Sequence, residues 1–490
     1  MKKLYAMPEP KFQDLSETEV VNLFDYHLEA PAEWEHIAVY MTKQSRLHGE
    51  KPIHIFKDEA YGPEAYRIEI GTDAITVKTG GENGMRYAIY MLMQATYRTL
   101  PTGVIEDYPD MAMRGYQLNL RGPLRYTPIE TLCSMVRACG RAKINTVLIE
   151  YDTSFDHGEY QPNDPFVLTK EEHRQLLEAA KAEGIEVIPL FQTYVHLYFL
   201  LSQPSLAYLR EEQDLPDQLC PLHPDALRFS KSLIDMYIDA HPDIRYLHIG
   251  GDETRQLGKC PKCAEFVKEH GKGGLYTHFV NQLIDYVCSK GVTPLVYDDM
   301  ICAHPEAMKD LDRRAVIVYW DYWTTSDPSP LLVARGGHEW AIVRDKASWD
   351  DTDFAGLPDM QREIFRSFGK PTDILGGGLN PEYLERYLPY LGDQVPRYFK
   401  AFPYIEYYKD QGFRVIAMPT SLGNTDNYLA APNQARFTAN IRTFAERSVE
   451  ANITGMITSA WFPFPEAAYP FGITLAGMYA WGLPDYQEGK

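Results

Sequence analysis

Two hydrophobic periods alternate along most of this chain. In Tyr66-Arg-Ile-Glu-Ile70 and Ala74-Ile-Thr-Val-Lys78 apolar and polar positions alternate singly, with Gly71-Thr-Asp73 between them. That is the period of a strand with one buried face, and the polar break predicts a turn joining two strands. After Gly80-Gly-Glu-Asn-Gly84 the spacing becomes helical in Met85-Arg-Tyr-Ala-Ile-Tyr-Met-Leu-Met-Gln94. These elements predict a small N-terminal α/β domain over residues 1–108. Pro101 and Glu106-Asp-Tyr-Pro-Asp110 read as a linker out of it, because proline and acidic turn formers interrupt both periods.

From Arg114 onward short β-branched runs alternate with longer helical patterns, which is the signature of repeated βα units. The strand candidates are Gly115 to Leu120, Thr146 to Glu150, Glu186 to Leu190, Tyr246 to Gly250, Thr293 to Tyr297, Val316 to Trp320, Arg414 to Met418 and Thr454 to Ala460. A helix is predicted over Lys170 to Glu183, closed by Gly184. Eight units predict an α/β fold of the (β/α)8 TIM-barrel type over residues 109–490, preceded by the small domain. The sixth and seventh strands are far apart, so residues of about 321–411 are expected to form an insertion shaping the barrel mouth. Gly376-Gly-Gly-Leu379 lies within it and lacks the Lys-Ser/Thr of a phosphate loop, so it reads as loop.

Composition narrows the class. A chain of 490 residues suits one large and one small domain, and 34 Tyr with 7 Trp supply many flat rings suited to sugar faces. A net charge of −20 repels phosphate backbones and anionic lipid, so neither nucleic acid nor membrane is an expected partner. The sequence leaves a homo-oligomer open. Met1-Lys-Lys-Leu-Tyr-Ala-Met-Pro8 lacks the apolar run of a signal peptide, and the 7 cysteines are an odd number. Both favour a reducing, cytoplasmic setting. No cofactor and no metal are expected. Cys260-Pro-Lys-Cys263 supplies half of a tetrahedral site, but Cys133, Cys139, Cys220, Cys288 and Cys302 are scattered, so the pair reads as free thiols in a loop.

Catalytic groups of such barrels sit at the carboxyl ends of the strands. That rule selects Arg121, Glu150, Asp152, His196, Asp252, Glu253, Tyr297, Asp298, Trp320, Asp321, Tyr322 and Trp461, with Glu466 close behind. Carboxylates, an arginine, a histidine and several rings around one mouth suit a carbohydrate substrate. Within Gly250-Gly-Asp-Glu253, neighbouring carboxylates converge on one ligand only where the strand ends and the backbone turns, which the glycines permit. Two close acids resist joint ionisation, so the one in the more apolar setting is expected to serve as a general acid. Plainer readings stand beside these. Asp252 and Glu253 can open the next helix as cap and first-turn acid, His196 can be a hydrogen-bonded structural residue, and Trp320 and Trp461 can be barrel packing. Arg121 and Glu150 can form a buried ion pair alone. A glycosidase with a carboxylate nucleophile, an inactive glycan-binding barrel and a metal-dependent hydrolase are rival functions.

The segment His248-Ile-Gly-Gly-Asp-Glu253 resembles the signature of glycoside hydrolase family 20, the β-N-acetylhexosaminidases. Thr146-Val-Leu-Ile-Glu-Tyr-Asp152, Glu186-Val-Ile-Pro-Leu-Phe-Gln-Thr193 with His196, Thr293-Pro-Leu-Val-Tyr-Asp-Asp299 and Trp320-Asp-Tyr322 are similar to its hexosaminidase D branch. The likeness implies exo-acting removal of terminal GlcNAc or GalNAc by substrate-assisted catalysis. It assigns Glu253 as general acid and base, and Asp252 as the group orienting the substrate's 2-acetamido nucleophile. It further implies an acetamido cage of Tyr297, Trp320 and Trp461. Arg121 and Glu466 would hold sugar hydroxyls, and His196 and Glu150 would support Glu253 or the substrate. Leu148-Ile-Glu-Tyr151 replaces the His-Trp-His of better-known members, and Tyr428 is the candidate for a tyrosine expected after strand seven.

Overall fold

A computed structural model describes residues 4–94, 99–121, 124–161, 166–322, 331–336, 339–344, 404–423, 433–461 and 466–483. The first sheet holds six strands: β1 (Phe12–Asn22), β2 (Tyr26–Glu29), β3 (Lys51–Lys57), β4 (Tyr66–Ile70), β5 (Ile75–Thr79) and β6 (Thr99–Asp107). They lie in the order β1-β6-β4-β5-β3-β2, with helices Glu35–Ser45 and Glu82–Met93 supplying much of the core beside them. β4 and β5 pair antiparallel, Tyr66 opposite Thr79 and Ile70 opposite Ile75, as the single alternation predicts.

The expected linker is corrected here. Thr99–Asp107 is an inner strand between β1 and β4, not a connection. Its Pro101 faces Val20 of β1 just beyond a register break between Leu15 and Val20, where a missing N–H is tolerated.

Eight parallel strands then close the barrel. They are β7 (Met113–Asn119), β8 (Thr146–Glu150), β9 (Glu186–Leu190), β12 (Tyr246–His248), β13 (Thr293–Tyr297), β14 (Val316–Trp320), β17 (Arg414–Met418) and β19 (Gly455–Ala460). Closure runs through pairings of β19 with both β17 and β7. A hairpin of β10 (Arg210–Glu212) and β11 (Leu215–Leu219) interrupts the connection from β9 to β12. β15 (Leu331–Gly336) and β16 (Glu339–Arg344) form a second hairpin within the expected insertion, and β18 (Thr420–Leu422) extends beside β19. Gly376 to Leu379 lie outside the described residues.

The barrel interior is filled by Leu148, Ile188, Leu190, Leu295, Val316, Val318, Ile416 and Ile457, roofed by Tyr297, Trp320 and Trp461. Burial on both faces explains why strands such as Thr146-Val-Leu-Ile-Glu150 read as continuous apolar runs. The outer helices include Lys170–Glu183, whose Thr169 and Glu172 form a reciprocal capping box and whose Gly184 is left-handed at the C-cap.

The small sheet is locked to the underside of the barrel by buried charge. Lys143 Nζ donates to Asp107 Oδ2 at 2.5 Å and to the Tyr66 hydroxyl at 2.8 Å, and lies 4.2 Å from the Trp481 ring centre. Trp481 Nε1 donates to the other Asp107 oxygen at 2.9 Å. Burial drags the Lys143 value down to about 8 against the pull of Asp107. Among the described residues no helix is long and apolar enough to cross a membrane.

Candidate active site

The turn after β12 sets the site. The strand stops at His248, two residues before the expected end, because Gly250 (φ +68°) and Gly251 (φ +91°) leave the extended region. A Cβ at Gly250 would fall 1.9 Å from Gln192 Oε1, so a side chain there would displace the Gln192 amide, and the positive φ favours glycine in its own right. Glu253 is itself left-handed at φ +48°, a costly conformation for a residue with a side chain, concentrated at functional sites. Its N–H donates to Asp299 Oδ2 at 2.7 Å, which holds the turn. Asp252 and Glu253 do not open a helix: the next long one is Pro261–Ser289, capped by Cys260.

One imidazole joins the two acids. His196 Nε2 lies 3.5 Å from Asp252 Oδ2 and 3.6 Å from Glu253 Oε2, while its Nδ1 faces Asp217 at 3.6 Å. Burial favours the neutral ring, but the surrounding carboxylates outweigh it and lift His196 to about 10, so the ring is a cation at neutral pH. Burial likewise opposes charge on Asp252, yet His196 holds its carboxyl below the ordinary value. Gln192 Nε2 adds a hydrogen bond to Asp252 Oδ1 at 3.4 Å. Asp252 is 14% exposed and Glu253 34%, so Glu253 is the member nearer solvent. Arg255, from the exposed side, reaches Glu253 Oε1 at 2.8 Å.

On the β7 and β8 side, Arg121 Nε meets Asp152 Oδ2 at 3.1 Å and its Nη1 lies 3.6 Å from Glu150 Oε1. Glu150 is 1% exposed, and burial raises it to about 7 despite Arg121. Burial raises Asp152 to about 6 in the same way. Within the adjacent pair the more buried acid, Asp252, is held ionised by His196 and does not keep a proton as the more apolar member was expected to, while across the mouth burial raises Glu150. Gln117 ties Glu150 to the barrel by donating to Oε2 at 3.3 Å while its carbonyl accepts from Ala460.

The rings form the floor. Tyr297 lies 4.1 Å from His248 and 6.4 Å from Trp461, centre to centre. The Tyr297 hydroxyl and Trp461 Nε1 are buried and have no partner among the described residues, an arrangement that costs energy unless a ligand answers it. Trp320 packs over the same interior and stacks on Tyr322 at 5.2 Å. Asp298 is structural: it accepts from the Trp320 N–H and the Tyr408 hydroxyl and is wholly buried. Asp321 accepts from Tyr319. Glu466 is exposed in a short turn, and no contact joins it to the other candidates among the described residues. Tyr428 lies outside the described residues.

Strand-end reasoning missed Gln192, Asp217 and Asp299. Gln192 and Asp299 stand in motifs whose other members drew attention, whereas Asp217 comes from the β10–β11 hairpin, where no barrel rule points. One group of metal-type ligands also assembles among the described residues, Glu211, Cys220, Cys260 and Cys263. The two CxxC thiols thus lie at a helix start beside a third cysteine, not in a loop as expected.

Comparison with known proteins places this geometry. Residues 128–347 match the model of the glycosyl hydrolase family 20 catalytic domain. Hexosaminidase D of Bos taurus is 28% identical over 267 residues, covering 51% of this chain and 74% of that protein. Hexosaminidase D of Homo sapiens is 30% identical over 225 residues, 44% of this chain and 46% of the human protein. The β-N-acetylhexosaminidase structure from Bacteroides fragilis superposes with a TM-score of 0.64 at 17% identity, over 98% of this chain and 92% of that one.

Proposed function

We propose that this chain, whose residues 128–347 match the glycosyl hydrolase family 20 catalytic domain, is a glycoside hydrolase and specifically an exo-acting β-N-acetylhexosaminidase using the substrate's own acetamido group as nucleophile. The observation that carries the reading is the single imidazolium within 3.6 Å of both Asp252 and Glu253, beside two buried ring donors that have no partner among the described residues. Asp252, held ionised, is suited to accept the acetamido N–H and to face the positive charge that develops on that group. The Tyr297 hydroxyl and Trp461 Nε1 are suited to the acetamido oxygen and to walling its methyl group.

The first step forms a bond between the acetamido oxygen and the anomeric carbon as the bond to the leaving oxygen breaks. Glu253, the more exposed acid, gives its proton to that oxygen, and the sugar becomes an oxazolinium paired with Asp252. In the second step Glu253 takes a proton from water, whose oxygen attacks the anomeric carbon and reopens the ring with net retention. General acid–base catalysis of this kind contributes about 10²- to 10⁴-fold. Arg121 and Glu150 provide a charged edge for sugar hydroxyls, and terminal GlcNAc and GalNAc are both compatible with it.

A thiazoline analogue of the oxazolinium tests the reading. It should compete with aryl β-N-acetylhexosaminides at concentrations far below the Michaelis constant. Hydrolysis of aryl glycosides lacking the acetamido group, with no thiazoline inhibition, would indicate a carboxylate nucleophile instead.

A further inference from the structure

We propose that Glu211, Cys220, Cys260 and Cys263 form a structural zinc site that clamps the β10–β11 hairpin to the helix Pro261–Ser289. The four candidate ligand atoms lie within 4.8 Å of one another. Cys220 Sγ is 3.6 Å from Cys260 Sγ and 3.5 Å from Cys263 Sγ. Tetrahedral zinc with Zn–S bonds of about 2.3 Å sets sulfur–sulfur edges of about 3.8 Å, so the thiols already stand close to that spacing. The Cys263 N–H points at Cys260 Sγ at 3.3 Å, which fixes the Cys260 side chain at the helix start.

The carboxylate is the second, independent observation. Glu211 is 3% exposed, and its Oε1 accepts from the N–H groups of Lys259 at 2.7 Å and Cys260 at 2.9 Å. Its Oε2 is buried with no partner among the described residues. A buried carboxylate oxygen left bare beside three sulfurs is unfavourable in a protein of thiols alone, and is answered by a cation. Three soft sulfurs select zinc over magnesium or calcium, and a full set of four protein ligands leaves no open position for catalysis. A disulfide between any two of these cysteines would use two sulfurs and leave the third thiol and Glu211 Oε2 unexplained.

The clamp has a consequence for the barrel mouth. Cys220 directly follows β11, which carries Asp217, the acid facing His196 Nδ1. Gln218, beside it, accepts from the Gln256 N–H at 3.1 Å, on the segment leading from Glu253 to Cys260. Zinc at this site would hold that segment at Cys260 directly and at Gln256 through Cys220 and its neighbour Gln218.

The test is elemental analysis of the full chain purified from zinc-supplemented culture. About one zinc per chain is expected, falling to background in a Cys260→Ser/Cys263→Ser double variant and unchanged in Cys288→Ser. Glu211→Gln should weaken zinc affinity at least about tenfold. Because the double variant can fail to fold, cobalt exchange into the wild-type protein provides a separate readout, an intense thiolate-to-cobalt absorption in the near ultraviolet. Chelator should lower the melting temperature of the wild type but not of the double variant. Metal-free protein with three titratable thiols at this site, zinc retained by the double variant, or intact-mass evidence of a disulfide here would each overturn the proposal.

Discussion

Replacing His196 with glutamine should displace the acidic limb of the pH–rate profile. The ring is lifted from 6.5 to about 10 by its carboxylates, which corresponds to about 5 kcal/mol of preference for the cation. Asp252 depends on that cation, since burial would raise its carboxyl and His196 supplies the largest of the pulls that lower it. Removing one partner of a buried charged pair costs about 3 to 5 kcal/mol. Without that cation the burial of Asp252 is opposed by less, so its carboxyl should move up from its lowered position. The wild type keeps Asp252 ionised throughout the neutral and mildly acidic range. The variant should therefore lose kcat progressively as pH falls, approaching about 100-fold, the equivalent of roughly 3 kcal/mol, only where Asp252 is protonated in the variant and still ionised in the wild type, and should recover as pH rises. Initial rates on an aryl β-N-acetylglucosaminide across the pH range provide the assay. An acidic limb within about half a pH unit of the wild type, whatever the overall rate, would refute the role given to His196.

Glu150 is raised from 4.5 to about 7, so its contribution to stability is present below 4.5 and is lost as pH rises through 7. Denaturant melts at several pH values should show up to about 3 kcal/mol of such loss in the wild type and little of it in Glu150→Gln. Gly250→Ala forces a Cβ against Gln192 at a positive φ and should cost about 1 to 3 kcal/mol by thermal melting, with lower activity because Gln192 supports Asp252. Lys143→Met leaves Asp107 buried without its cation and should cost about 3 to 5 kcal/mol in the same melts while leaving the Michaelis constant of surviving folded protein unchanged.

Much of the barrel was legible because its strands are buried on both faces. β8, β9, β13, β14 and β17 begin and end where their apolar runs do. β12 ends early because the pattern cannot show that Gly250 turns left-handed. The first sheet was half legible: β4 and β5 have a clean alternation, whereas β1 is largely exposed, so it carries little hydrophobic signal. β6 was masked by Pro101 and by an acidic end whose Asp107 is there to meet Lys143 and Trp481.

At the site, the strand-end rule brought Arg121, Glu150, Asp152, His196, Asp252 and Glu253 into one charged network. It gave no warning that Asp298 turns inward to Tyr408 or that Glu466 makes no contact with the other candidates among the described residues. Asp217 and Cys220 were invisible for a common reason. Both depend on the β10–β11 hairpin folding back, Asp217 onto His196, 21 positions earlier, and Cys220 onto Cys260, 40 positions later, and spacing along the chain carries no trace of either contact.

The most direct measurement compares aryl glycosides differing at C2 and C4 on the wild type and on Asp252→Asn. The wild type should hydrolyse only substrates bearing the 2-acetamido group, and Asp252→Asn should lose orders of magnitude on those alone. Comparable wild-type turnover of the 2-hydroxy sugars, or an Asp252→Asn variant as active as the wild type on N-acetyl substrates, would contradict the account.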